Sequence, residues 1–267
     1  MTISKINCFF SLWLSVLLPV TVGAATIGAG EMGYIPFRSG ERYFYEIRWG
    51  AIPAGQAELA VRPVTDVEGV PAWHFQLTVR TNEFVDVFYK VRDKIDAYAD
   101  LSLNESLLYR KSQKEGRFLR EEVVSFDREN NLARYSNNGE KIAPILLMPG
   151  TIDPLTAAFF IRTQTLLENL DIIKPITDGK KNVTGVARVL NREQLVVGGI
   201  TYDTYRVEPD LRDVGGVFEK SKKSRITLWF TADSRHLLVK IEGKVIVGSF
   251  TGTLVDGSKD AAGVTND

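Results

Sequence analysis

Polar and apolar positions alternate with a period of two along most of this chain. In "RYFYEIRW", Tyr43, Tyr45, Ile47 and Trp49 share one face, and Phe44, Glu46 and Arg48 share the other. "AELAVRPV" and "AWHFQLTVR" follow, separated by the turn-rich "TDVEGVP". In "VFYKVRDKIDAYA", Val87, Tyr89, Val91, Ile95, Ala97 and Ala99 face one way, and Lys90, Arg92, Lys94 and Asp96 the other. Alternation this long predicts half-buried antiparallel strands. Further runs lie at 105–113, 117–126, 131–136, 183–190, 193–197, 201–208, 225–231, 237–242 and 245–255. Several joints carry hairpin chemistry: Lys114-Glu115-Gly116, Asn137-Asn138-Gly139 and Gly198-Gly199. Such turns need residues that tolerate positive φ. About a dozen strands without intervening helices exclude a parallel α/β sheet. They predict a mainly β fold, either a large curved antiparallel sheet or a partly open β-barrel.

One segment breaks the period. "IDPLTAAFFIRTQTLL" places Asp153 as an N-cap and Pro154 at the first helical position, with apolar residues at spacings of three and four. It predicts a helix over about 153–167, packed as a plug or lid on the concave face of the sheet. A shorter helical turn is expected at 81–86.

The first residues, "MTISKINCFFSLWLSVLLPVTVGAA", combine one charge at Lys5, a short apolar run and small residues at Gly23, Ala24 and Ala25. This is the pattern of a secretory signal peptide, residues 1–24 if cleavage follows Ala24; cleavage after Ala25 fits equally well. The run is too short to span a membrane, so no transmembrane segment is expected after cleavage. Cys8 precedes the run and is not placed as a lipid-modified cysteine; its removal leaves a mature chain without thiols or disulfides. Residues 37–255 are then expected to form one β-rich domain of two sheet-like halves joined by the central helix, and 256–267 a loose tail. Lys plus Arg and Asp plus Glu both number 33, so no basic excess favours nucleic acid as a partner. The expected location is the periplasm of a Gram-negative bacterium, as a soluble protein and not a lipoprotein.

Chemistry has few places to reside. His74 and His236 are the only histidines and lie in no metal-ligand spacing, so no metal or other cofactor is assigned. Asp233-Ser234-Arg235-His236 are neighbours in one turn and read as a strand corner rather than a triad, which needs groups converging from separate segments. Asp93 lies between Val91 and Ile95 on an apolar face and is the one candidate acid. The basic run Lys220, Lys222, Lys223 and Arg225 reads as a solvated strand end. Aromatic residues are the larger resource. Tyr43, Tyr45, Trp49, Trp229 and Phe159 are candidates for lining an apolar cavity under the curved sheet.

"GERYFYEIRWGAIPAGQAEL", "DPLTAAFFIR" and "LWFTADSRHLLVKIEGKVIVGSFTGTL", in that order, resemble the opening, central helix and closing hairpin of an exported bacterial family, the domain of unknown function 3108. The strand–corner–strand ending is also similar, more distantly, to the periplasmic lipoprotein carriers and acceptors. Those resemblances imply an exported curved-sheet protein and carry over no catalytic residues. Together, residues and resemblance point to a non-catalytic cell-envelope protein that binds an apolar or amphipathic, lipid-like ligand or an envelope protein partner. The alternatives are a hydrolase of an envelope polymer using carboxylates, or an interaction module using a sheet edge.

Overall fold

The computed structural model describes residues 34–210, 225–245 and 248–257. The signal-peptide segment, most of the basic run at 220–225 and residues 258–267 lie outside the described residues.

The strands are β1 (Arg42–Trp49), β2 (Ile52–Val67), β3 (Val70–Thr81), β4 (Arg92–Asp100), β5 (Ser106–Glu115), β6 (Phe118–Asp127), β7 (Leu132–Asn137), β8 (Glu140–Lys141), β9 (Ile145–Leu146), β10 (Asp171–Thr177), β11 (Asn182–Val197), β12 (Ile200–Pro209), β13 (Arg225–Thr231), β14 (Leu238–Val245) and β15 (Gly248–Gly257). They form one antiparallel sheet in the order β10-β11-β12-β13-β14-β15-β1-β2-β3-β4-β5-β6-β7-β8, with β9 on β7. The chain thus enters the sheet at its middle, runs out to β8, crosses over, and returns from β10 to close β15 against β1. Both halves belong to a single curved, unclosed sheet.

The crossover holds two devices. Ile152 makes a parallel bridge to Ile176, which covers part of the free edge of β10. The helix α2 (Pro154–Arg162) then fills part of the concave side. Its N-cap, Asp153, accepts from the Leu155 and Thr156 amides at 2.9 Å and from the Ser106 and Thr156 hydroxyls at 2.6 Å. These bonds satisfy amides that a helix start leaves without partners. The helix is shorter than the expected 153–167. Thr163 ends it: its hydroxyl turns back onto the Phe160 carbonyl, and Leu166 leaves the helix to enter a separate core cluster. Phe159 stacks on Phe75 with centroids 3.9 Å apart, while Ile161 packs with Leu228 and Phe230 of the other half. The helix therefore joins two cores.

Three departures from the sequence reading have physical causes. The "TDVEGVP" segment is strand except at Glu68-Gly69, because Gly69 at φ +85° makes a two-residue turn sufficient. The alternation over Val87–Ala99 is strand only from Arg92; Glu83–Asp86 form a one-turn helix, α1, capped by Asn82, and Val87–Lys90 continue as a loop. Strand β10 departs from the expected set of strands: it carries Pro175, a residue that argues against a strand interior, and proline is tolerated here since β10 is an edge.

Candidate functional site

A cavity of about 430 Å³ remains between α2 and the β10–β14 part of the sheet. Its walls are aliphatic: Ile172 and Ile176 from β10, Ala187 from β11, Leu228 from β13 and Ile241 from β14. Pro154, Ala157, Ala158, Phe160 and Ile161 present one side of α2 to it. The small side chains at 157 and 158 leave room that larger ones would fill. The volume lies in the range of small-ligand sites, which are mainly apolar with a few placed polar groups.

Those polar groups sit at one end. Strands β5 and β6 supply Lys111, Arg120 and Glu122, and the β10–β11 turn supplies Asp178 and Lys180. Glu122 accepts from the Tyr135 hydroxyl at 2.6 Å and pairs with Arg120 at 2.7 Å, Lys180 at 3.3 Å and Lys111 at 3.9 Å. Burial pushes its carboxyl up, but the Tyr135 bond and the surrounding cations outweigh burial and hold it below its ordinary value. Asp178 is occupied by its own turn, accepting from the Lys180 and Lys181 amides. The turn approaches β6 and β7 closely: a Cβ on Gly179 would stand 2.6 Å from a Val124 methyl. This contact, the Lys180–Glu122 pair and the Asn182 side chain accepting from the Met148 amide draw the open seam together beside the cavity.

Lys174 differs from the other cations. It lines the cavity from β10, its ammonium 4.8 Å from the centre of the Phe160 ring. Burial lowers its pKa, only partly offset by the more distant charges of Asp100 and Glu105, and among the described residues no carboxylate comes within ion-pair distance of it. A half-buried cation over an aromatic ring, with no carboxylate at ion-pair distance, suits an anionic group. The site can thus hold an apolar body along Ile172, Ile176 and Leu228 with an acidic head near Lys174.

The candidates chosen from sequence lie elsewhere. Tyr43 and Tyr45 are core residues; their hydroxyls donate to Glu41 at 3.0 Å and to the Leu238 carbonyl at 2.8 Å. Burial pushes the Tyr43 phenol up to about 12. Phe159 is buried against Phe75 and Phe37. Trp229 takes the face opposite Leu228, donating to Glu193 at 2.7 Å under the Lys240 ammonium. Trp49 is 42% exposed at the end of β1. None of the five lines the cavity. Asp93 is half-buried, accepts from the Lys114 amide at 3.0 Å, and is pushed up to about 6 by burial first, with the nearby Glu115 charge adding to it. It too lies outside the cavity lining.

The histidines are tied into framework contacts. His74 bonds Asp96 at 2.8 Å and stacks on Tyr98; His236 donates to the Arg162 carbonyl at 2.8 Å. Among the described residues, no group of three or more His, Cys, Asp or Glu is placed to hold a metal ion, and no helix is long and apolar enough to cross a membrane. The cavity residues escaped the sequence reading because aliphatic side chains carry no chemical signature. A signal did exist in "DIIKPIT": Ile172, Lys174 and Ile176 alternate, and all three line the cavity.

A search of curated proteins returned no match. Among solved structures, the chain is similar to the beta-barrel-like protein of domain of unknown function DUF1849 from Brucella abortus, with a TM-score of 0.51 at 9% identity, covering 82% of this chain and 96% of that one. At that identity the likeness establishes the fold alone. The profile of the family described as "Protein of unknown function (DUF3108)" matches residues 45–255, from the first strand to the last, and the chain belongs to that family.

Proposed function

We propose that this is an exported, non-catalytic protein that binds an amphipathic ligand, an apolar chain with a carboxylate or phosphate head, in the cavity beside α2. The observation that carries the reading is Lys174: a half-buried cation with no carboxylate at ion-pair distance among the described residues, beside the aliphatic wall of a cavity of about 430 Å³. The signal-peptide pattern at residues 1–24 supports export. Hydrolysis finds less support, since Asp93 and its neighbour Glu115 stand outside the cavity, and Glu122 and Asp178 at its rim are held in ion pairs and a turn. A sheet-edge interaction finds less as well: β8 is two residues long, and β10 is partly covered by Ile152.

Native mass spectrometry of the chain isolated from its own cells tests the proposal. A bound mass in the range of a lipid or fatty acid is expected, and it should be lost in Ala158→Trp, which fills the cavity. Lys174→Glu should weaken binding of an anionic fluorescent fatty acid about tenfold or more, roughly the 1.4 kcal/mol or more of a lost charge-assisted contact. A wild-type protein that carries no mass and takes up no fatty acid would overturn the reading.

A further inference from the structure

The end of the sheet that carries the cavity rim also carries an apolar surface which no core explains. Phe84, Val87, Phe88 and Tyr89 follow or belong to α1, and Phe118 and Leu119 begin β6. All six are exposed, Val87 and Phe88 by 78% and 76%. Trp49 and Ile52, at the β1–β2 turn, are exposed at the same end. Antiparallel register places these turns together, and hydrogen bonds join them. The Asn82 amide donates to the Ala54 carbonyl at 2.9 Å, the Gly116 amide to the Lys90 carbonyl at 2.8 Å, and the Tyr89 hydroxyl to Glu115 at 3.2 Å.

The loop is held firmly from beneath. Asp86 accepts from Arg92 and from the Thr81 hydroxyl, both at 2.5 Å, and Asn82 caps the Val85 amide at 2.9 Å. Its polar groups are therefore satisfied inward while its aromatic side chains point out. Turns normally do the reverse, and contiguous exposed apolar surface of this kind marks an interaction site.

We infer that this end docks onto an anionic lipid surface. Three observations favour a membrane over a protein partner. The apolar side chains stand on separate protruding turns, the geometry for insertion among head groups, where Trp, Tyr and Phe are favoured. Lys90, Lys114 and Arg117 are exposed between them with no ion pair among the described residues. Of the carboxylates at this end outside ion pairs, Glu83 is exposed, Glu115 accepts from the Tyr89 hydroxyl and Gln113, and half-buried Asp93 accepts from the Lys114 amide, so the exposed charge is mainly cationic and complementary to anionic lipid. The β5–β6 hairpin that presents Phe118 and Leu119 also presents Lys111 and Arg120 to the cavity. A lipid could pass from bilayer to cavity along one hairpin. The docking surface stands on its own observations; only its purpose rests on the ligand reading above.

Flotation with vesicles tests it. The wild-type chain should bind vesicles of phosphatidylglycerol and phosphatidylethanolamine at least tenfold more strongly than vesicles of phosphatidylcholine, and less as salt rises. The double substitution Phe84→Ser/Phe88→Ser should lower binding at least tenfold, and Lys90→Glu/Arg117→Glu by a similar factor, with circular dichroism and Tm unchanged. Val64→Ser, exposed towards the opposite end, should bind as wild type. Ala158→Trp should still dock; docking without any bound ligand would leave this proposal standing while the ligand reading fails. Wild-type protein that stays with the unbound fraction at low salt overturns the proposal. So does a Phe84→Ser/Phe88→Ser chain that floats within twofold of wild type, or one that instead loses a discrete cross-linked protein complex.

Discussion

The two ends of the sheet treat charge and aromatic surface in opposite ways. At the end that includes the β13–β14 corner, Arg162 is 3% exposed and its guanidinium donates to the Pro36 carbonyl at 3.0 Å and the Arg235 carbonyl at 3.2 Å. It lies 3.7 Å from Glu41 and within 5.7 Å of the centres of the Phe37, Tyr43 and Phe159 rings. One cation from the end of α2 thus ties the N-terminal segment, the first strand and the corner into a knot. The corner completes it: Asp233 accepts from Thr231 and Arg235, and His236, at φ +40°, donates to the Arg162 carbonyl. At the other end, Phe84 and Phe88 face outward and Lys90, Lys114 and Arg117 make no ion pair among the described residues. Aromatic rings and cations are the materials of both ends. Burial among hydrogen-bond partners and rings makes one a clamp, and exposure makes the other a docking surface.

Breaking the clamp should have the largest effect. Arg162→Met strands Glu41 and the carbonyls of Pro36 and Arg235, and should destabilise the chain by about 3–5 kcal/mol in urea denaturation. A loss below about 1 kcal/mol would mean that packing alone holds this end. Asp93, at the start of β4 near the open end, should give a smaller effect that depends on pH. Its carboxyl is pushed up to about 6 in the folded chain, by burial more than by Glu115. Between the ordinary carboxyl value near 4 and about 6, the folded chain holds a proton that the unfolded chain has lost. Stability contributed by this group is therefore complete below about pH 4 and declines as pH rises through about 6. Asp93→Asn keeps an acceptor for the Lys114 amide, so it should stabilise the chain at pH 7.5 by about 1 kcal/mol, allowing for solvent screening, and by little at pH 4.5. An equal gain at both pH values would remove titration as the cause. The smallest change should come from Phe84→Ser/Phe88→Ser, expected to leave stability within about 0.5 kcal/mol of wild type by thermal unfolding. A loss of several kcal/mol would show that these rings support the core.

Much of the fold is legible in the sequence for local reasons. The Asn138-Gly139 and Gly198-Gly199 turns stand at positive φ as their residue types require, and Asp153-Pro154 starts the helix where capping chemistry puts it. The site is less legible. Aromatic residues drew attention because they are large, yet Tyr43, Tyr45 and Phe159 are spent on the core, and the cavity is walled largely by ordinary aliphatics, with charged side chains at one end and Lys174 beside them. Val87 and Tyr89 kept the alternation of the strand that follows them, and nothing in their own sequence says that the chain has left the sheet there.

By itself, then, the sequence determined the antiparallel strands, most of their turns, the position of the helix start and the order of motifs that matches the family. These depend on the two-residue period of the pleat and on bonds between near neighbours. Only the tertiary structure decided that Lys174 would line a cavity over the Phe160 ring, that Arg162 would be buried, and that Phe84 and Phe88 would meet solvent. Those outcomes depend on the curvature of the whole sheet and on how far a two-and-a-half-turn helix can fill its concave side, which bring together residues more than a hundred positions apart.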